Sequence, residues 1–229
     1  MDSEREVSEG KLLIDAAKAT GVKGIIWSGL VPVKKISSGK YTKVEHFNSK
    51  AQVTEYGRAS GVPFVDVQAG LYAFNFLGNF PLLVKEPDGT FTLLWVVRPT
   101  TVMPTIDMEN DYGCMSVGCL KCPCSPMDWM STPRARTSAW RTRHVRFPKA
   151  SIAGKKVVFK QITPEEAKQR FVSLGFPPAA ATDVVEGYQF FDEFGYYGGN
   201  PSTSAKGLAR PTHTFAEFVR SADWSTVLT

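Results

Sequence analysis

Residues 6–30 read EVSEGKLLIDAAKATGVKGIIWSGL, a helical pattern that runs directly into an apolar strand. The alternation continues beyond them and predicts, in order, a helix over Val7–Gly21, a strand over Gly24–Leu30, a basic loop over Val31–Glu45, a helix over Phe47–Ser60, a strand over Val62–Ala69 and an aromatic stretch over Leu71–Phe80. Strands that alternate with helices in this way predict parallel β-α units. Ligands of such sheets lie beyond the carboxyl ends of the strands, so we expect a site near Ser28 and Gln68.

Several short motifs follow one another along the chain: Glu6-Val7-Ser8-Glu9-Gly10-Lys11, Ala17–Val22, Trp27-Ser28-Gly29-Leu30, His46-Phe47-Asn48-Ser49-Lys50, Asp111-Tyr112-Gly113 and Phe194–Gly199. Together they resemble the NmrA-like family, whose members are atypical relatives of the short-chain dehydrogenases. The resemblance covers residues 1–113 and 154–229. It implies an α/β fold class: the C-terminal part of a Rossmann-like doubly wound parallel sheet plus a smaller α/β substrate-type lobe.

The resemblance also implies a division of the chain into three parts. Residues 1–110 correspond to an incomplete NAD(P)-binding Rossmann-like domain that lacks the glycine-rich strand-turn-helix. Residues 111–153 form an irregular segment rich in cysteine and arginine, and residues 154–229 form the smaller C-terminal lobe. No G-x-G-x-x-G occurs in the chain, and Gly21-Val22-Lys23-Gly24 precedes a strand, which is typical of a helix end. We therefore expect NADP or NAD as the family cofactor, with binding impaired by truncation.

The segment His46–Lys50 resembles the Tyr-x-x-x-Lys motif of active short-chain dehydrogenases. The lysine is kept and the tyrosine is replaced by histidine. The resemblance implies that Lys50 binds the cofactor ribose. His46 is a candidate general acid near neutral pH, or else a residue at a helix start without a catalytic role. Ser28 ends a strand where dehydrogenases carry a catalytic serine, and the alternative is an ordinary turn residue.

After the next strand, Tyr72, Ala73, Phe74 and Asn75 resemble the family segment that passes the nicotinamide. Two aromatic rings offer flat apolar surface, and the Asn75 amide offers a polar edge. The alternative is ordinary core packing. Gln68 stands where relatives usually carry arginine, which weakens the case for an anionic substrate.

Residues 114–150 carry seven lysines and arginines against Asp128 alone, a net charge of +6. Since the whole chain carries +5, the remainder is close to neutral. The four cysteines of the chain fall in the same window: Cys114, Cys119, Cys122 and Cys124. We interpret the window as aberrant or disordered sequence, while a metal site, disulfides and non-specific nucleic-acid binding remain alternatives. No metal site and no specific nucleic-acid site is predicted.

Local signals predict the remaining elements. Glu86-Pro87-Asp88-Gly89 predicts the turn of a hairpin over Leu82–Val97. Thr163-Pro164-Glu165-Glu166 predicts a capped helix start, as does the sequence from Thr214 to Glu217. A further helix is predicted over Ala179–Glu193, ended by Gly195.

Three functions are consistent with these patterns. The resemblance implies an NAD(P)-binding regulator, of the redox-linked negative regulator of transcription type, with a protein partner such as a transcription factor. One alternative is an NAD(P)H-dependent oxidoreductase of small carbonyl compounds, and another is a non-functional truncated product. The acidic start has no apolar signal region, and Gly70, Asn75 and Pro81 interrupt the charge-free stretch Val67–Val84. We therefore predict a cytoplasmic or nuclear protein that does not enter the membrane.

Overall fold

A computed structural model describes residues 2–78, 83–121, 137–139, 143–145, 149–152, 154–200, 210–225 and 227–228. The chain forms two compact units, each built from three separate segments. The first unit comprises Met1–Ala69, Gly113–Arg141 and Tyr197–Pro211. The second unit comprises Gly70–Tyr112, Thr142–Tyr196 and Thr212–Thr229.

The described elements follow in this order: α1 (Ser3–Ala19), β1 (Ile25–Ser28), α2 (Val33–Ile36), α3 (Glu45–Ala59), β2 (Phe64–Gln68), β3 (Leu71–Tyr72), a 3-10 helix (Ala73–Leu77), β4 (Leu83–Lys85), β5 (Phe91–Trp95), β6 (Met103–Ile106), α4 (Met108–Lys121), β7 (Thr137–Ala139), β8 (Arg143–Val145), β9 (Lys149–Ile152), β10 (Lys155–Gln161), α5 (Pro164–Ser173), α6 (Pro178–Phe194) and α7 (Phe215–Ser221).

The first unit contains a parallel sheet in the order β1-β2-β7, in which Trp27 lies opposite Asp66 and Asp66 opposite Thr137. α1 packs against α3 around Ile14, Val53 and Phe64. α1 begins one turn earlier than the predicted Val7, because the Asp2 carboxylate accepts the Arg5 N–H at 3.0 Å and caps the helix.

The predicted basic loop contains the short helix α2. Its Lys34 N–H donates to Asn48 Oδ1 of α3 at 3.0 Å, and Val33 is completely buried. This contact ties the loop to the start of α3. A sequence rich in lysine and serine gives no local sign of it, since the stabilising partners come from α3.

The second unit contains a four-stranded sheet in the order β4-β5-β10-β9 and a three-stranded sheet in the order β3-β6-β8. β4 and β5 form the predicted hairpin, closed by the Glu86 N–H bond to the Thr90 carbonyl at 2.8 Å. Thr163 and Thr214 form the predicted capping boxes of α5 and α7. α6 ends at Phe194 and is followed by Gly195, which has a φ of 77°.

The predicted α/β class with parallel strand pairs is confirmed. Within the predicted irregular segment 111–153, however, α4 runs to Lys121, and β7, β8 and β9 pair with β2, β6 and β10. β7 and β8 pair with strands that lie far away in the sequence, so local periodicity gives no warning of them, whereas β9 pairs with β10, the strand that follows it directly. No helix in the described part of the chain combines the length and apolar character needed to cross a bilayer.

Candidate functional site

Lys50 lies in the first half of α3, one helical turn after His46, so both side chains share one helix face. Its ammonium donates to Glu6 Oε1 of α1 at 2.7 Å, and both side chains are partly buried, with exposures of 33% and 27%. The same ammonium lies 6.0 Å from the centroid of the Trp27 ring. Because Trp27 is the third residue of β1, Lys50 lies near the carboxyl end of that strand, where the sequence predicts a site.

Glu6 connects three polar side chains of α3. Its carboxylate accepts the Lys50 bond and a hydrogen bond from the Ser49 hydroxyl, and Ser49 is completely buried. Partial burial alone raises the pKa of Glu6, but the hydrogen bonds and positive charge of its partners outweigh burial and hold the pKa below its usual value. His46 contributes to that positive charge, so the structure brings His46, Lys50 and Glu6 into one cluster.

The two other predicted positions of the first unit have different environments. Ser28 is exposed at the end of β1, as expected for a residue at the carboxyl edge of the sheet. Gln68 is buried, and its amide donates to Asp66 Oδ2 at 2.9 Å. Gln68, which stands where the resemblance places an arginine, therefore donates its hydrogen bond to a buried carboxylate of its own strand.

Asp66 is a buried charged residue that the sequence analysis missed. Burial raises its pKa, while the Gln68 hydrogen bond, the Arg58 guanidinium 3.3 Å away and the Gly29 backbone oppose that rise. A charged residue at the centre of an apolar strand was the signal available in the sequence, because such residues are seldom buried without partners.

In the second unit, some residues of the predicted nicotinamide segment are buried and others are partly exposed. Ala73 is buried, as is Phe76 directly after the segment, and this burial matches the core-packing alternative. The Tyr72 and Phe74 rings lie 5.5 Å apart with an angle of 31° between their planes, and Phe74 is 38% exposed. Asn75 is half-buried beside them. The rings therefore present a partly exposed aromatic surface at the end of β3.

A second polar cluster in the same unit was also missed. Asp107 directly follows β6, and His213 Nδ1 lies 3.5 Å from its carboxylate and 3.3 Å from that of Asp111, although neither contact has hydrogen-bond geometry. The His213 backbone N–H donates to Asp111 Oδ2 at 2.7 Å. These contacts attach the segment before α7 to the start of α4. The signals in the sequence were an aspartate after an apolar strand and the motif Asp111-Tyr112-Gly113, and neither of them points to His213.

The predicted residues thus fall into two groups. The first unit brings together His46 and Lys50 near the end of β1, and the second unit holds Tyr72, Ala73, Phe74 and Asn75. Within the described ranges, no three carboxylate, thiol or imidazole groups are arranged to hold a metal ion. Cys114 and Cys119 lie on α4, whereas Cys122 and Cys124 lie outside the described residues, so the metal alternative stays untested.

Comparison with known proteins addresses the family directly. The model of the NmrA-like family matches residues 2–219, nearly the whole chain. This chain belongs to the NmrA-like family. The predicted resemblance is thereby confirmed.

Individual relatives are of two kinds. The nitrogen metabolite repression protein nmrA of Emericella nidulans is 36% identical over 112 residues, 47% of this chain and 31% of that protein. The NAD(P)H azoreductase of Xenophilus azovorans is 27% identical over 218 residues, 91% of this chain and 68% of that protein. This NmrA-like chain therefore spans about a third of the first relative and about two thirds of the second.

Solved structures support the fold. NmrA, described as a negative transcriptional regulator in complex with NAD, superposes with a TM-score of 0.69 at 21% identity, covering 94% of this chain and 69% of that one. The same regulator in complex with NADP gives a TM-score of 0.68 at 22% identity and the same coverage. These neighbours confirm the Rossmann-like α/β fold that the sequence predicts.

Proposed function

We propose that this chain is an NAD(P)-binding regulatory protein of the NmrA type, which binds a protein partner such as a transcription factor according to the redox state of the dinucleotide. Relatives named nitrogen metabolite repression proteins and neighbours named negative transcriptional regulators support the proposal. A regulator of this type acts in the cytoplasm, the nucleus or both.

The observation that carries the proposal is the form of the motif on α3. Lys50 keeps the position of the ribose-binding lysine and extends its ammonium near the end of β1, but His46 replaces the tyrosine that protonates a substrate oxygen. A bound nicotinamide dinucleotide supplies or accepts hydride. A site that keeps the binding lysine without the proton-donating tyrosine favours recognition of the dinucleotide over turnover.

In the first unit, Lys50 fits the ribose of a dinucleotide. The Lys50 ammonium has three N–H donors, which suit ribose hydroxyls. In the second unit, taken by itself, the Tyr72 and Phe74 rings and the Asn75 amide have the chemistry that suits a nicotinamide ring and its polar edge. Residues 1–229 contain no glycine-rich turn for the diphosphate, so the proposal concerns only the ribose and nicotinamide parts of the dinucleotide.

Calorimetric titration with NAD and NADP tests the proposal. We expect Lys50→Met to weaken binding by roughly tenfold or more, because a hydrogen bond from a charged group contributes about 1.5–3 kcal/mol. Lys35→Met is the control, since Lys35 is exposed and 3.6 Å from Glu55. Absence of binding by the unmodified chain, or equal affinity of the two variants, would contradict the proposed role of Lys50.

A second candidate is reduction of small carbonyl or related acceptors with NAD(P)H. The match to an azoreductase over 91% of this chain favours it. Multiple turnovers of NADPH by the purified chain would support this function. If His46 is the general acid, His46→Gln abolishes turnover while His213→Gln, in the other unit, does not. If the chain binds NADPH without oxidising it, the reductase function is excluded and the regulatory proposal is kept.

A further inference from the structure

We propose that Glu6 is a positioning residue of the dinucleotide site, and that it orients the Lys50 ammonium toward the ribose. This inference rests on the proposed function, because it assigns Lys50 to the dinucleotide. Glu6 itself touches no ligand in this proposal. It acts through Lys50.

The carboxylate is held at both of its oxygens. Oε1 accepts the Lys50 bond at 2.7 Å, and Oε2 accepts the hydroxyl of completely buried Ser49. Ser49 and Lys50 are consecutive residues of α3, whereas Glu6 comes from the first half of α1. Two bonds to adjacent residues fix the carboxylate more firmly than one bond does, so the end of the lysine side chain is fixed as well.

The direction of the ammonium follows from its two contacts. Glu6 takes one of three N–H donors, and the face of Trp27 lies 6.0 Å from the nitrogen. The contact with Trp27 keeps the ammonium near the end of β1, and two donors remain for ligand hydroxyls. A lysine without Glu6 would lose rotameric order, which binding would then have to restore.

A neighbouring pair on the same helix provides the contrast. Arg5 and Glu9 also lie 2.7 Å apart, but their side chains are 72% and 58% exposed. Exposed pairs of this kind contribute little and are screened by solvent and salt. Glu6 and Lys50 are about half as exposed and share a buried hydroxyl partner, so their geometry is better defined. Glu9 therefore offers a matched control for Glu6.

The first readout is direct labelling of Lys50 by a limiting amount of acetic anhydride, followed by mass spectrometry of its peptide. An amine that donates to Glu6 must break that bond before it reacts. We expect Glu6→Gln to raise the Lys50 labelling rate several-fold relative to Lys11 in the same sample, and Glu9→Gln to leave it unchanged. Ser49→Ala should give an intermediate rise, because it releases only one carboxylate oxygen.

The second readout is titration with NADP. We expect Glu6→Gln to weaken binding about tenfold, as the loss of a charge-assisted hydrogen bond predicts. Glu6→Asp, which keeps the charge, should recover part of the affinity. If Glu6→Gln does not fold, Ser49→Ala and Glu6→Asp carry the test.

The two hypotheses fail in different ways. If the unmodified chain binds no dinucleotide, the proposed function fails, while labelling still decides whether Glu6 holds Lys50. If labelling of Lys50 is the same in both glutamine variants, or if Glu6→Gln binds NADP as tightly as the unmodified chain, the positioning role is wrong even though dinucleotide binding stands.

Discussion

At the scale of single residues, the buried carboxylate of Asp66 should make the stability of the fold depend on pH. Burial raises its pKa, so the folded chain favours the protonated acid more than the unfolded chain does. The stability from this group is present below the unfolded pKa, about 3.9, and is lost as pH rises through the folded pKa. Asp66→Asn should therefore be more stable than the unmodified chain at neutral pH, with a smaller advantage in acid.

Urea unfolding at several pH values measures this difference. Asp88→Asn is the control of opposite sign, because hydrogen bonds from Thr90 lower the pKa of exposed Asp88. Its carboxylate stabilises the fold above the unfolded pKa, and that stability is lost as pH falls through the folded pKa. If the gain in unfolding free energy of Asp66→Asn grows toward acid pH, the pKa of Asp66 is not raised in the folded chain.

At the scale of elements, the contact between α1 and α3 depends on the absence of a side chain at Gly10. A Cβ built at Gly10 would lie 2.6 Å and 2.8 Å from the two methyl groups of buried Val53. Such overpacking costs about 1–3 kcal/mol, which exceeds the gain of about 1 kcal/mol from the higher helix propensity of alanine. We expect Gly10→Ala to be destabilised in thermal and urea unfolding.

Gly113 of α4 provides the matched helical control. Among the described residues, no atom lies within 4 Å of a Cβ built there, so Gly113→Ala should gain about 0.5–1 kcal/mol from helix propensity alone. A stabilised Gly10→Ala would show that the two helices pack less closely than the structure indicates.

At the scale of the whole molecule, each compact unit draws on three separated segments of the chain. A fragment of residues 1–69 would lack β7, which pairs with β2, and Tyr197, whose hydroxyl lies 3.5 Å from the Gln68 carbonyl. All five residues of β2 are buried in the complete chain. We therefore expect the β2 amides to lose hydrogen-exchange protection in the fragment and to regain it when residues 70–229 are co-expressed. Equal protection in fragment and complete chain would contradict this dependence.

The sequence by itself determined the features that depend on neighbouring residues. The order α1, β1, α3 and β2, the hairpin turn at Glu86–Gly89 and the capping boxes at Thr163 and Thr214 follow from local pattern and local hydrogen bonds. The placement of His46 and Lys50 on one helix face follows from their spacing of four residues.

Only the tertiary structure decided which groups those elements bring together. Glu6 reaches Lys50 across 44 residues of sequence, and His213 reaches Asp111 across 102. The burial of Asp66 and the pairing of β7 with β2 likewise need partners far along the chain. The type of a side chain and the local periodicity carry no information about such partners. The contact forms only when the chain folds and brings the two distant residues together.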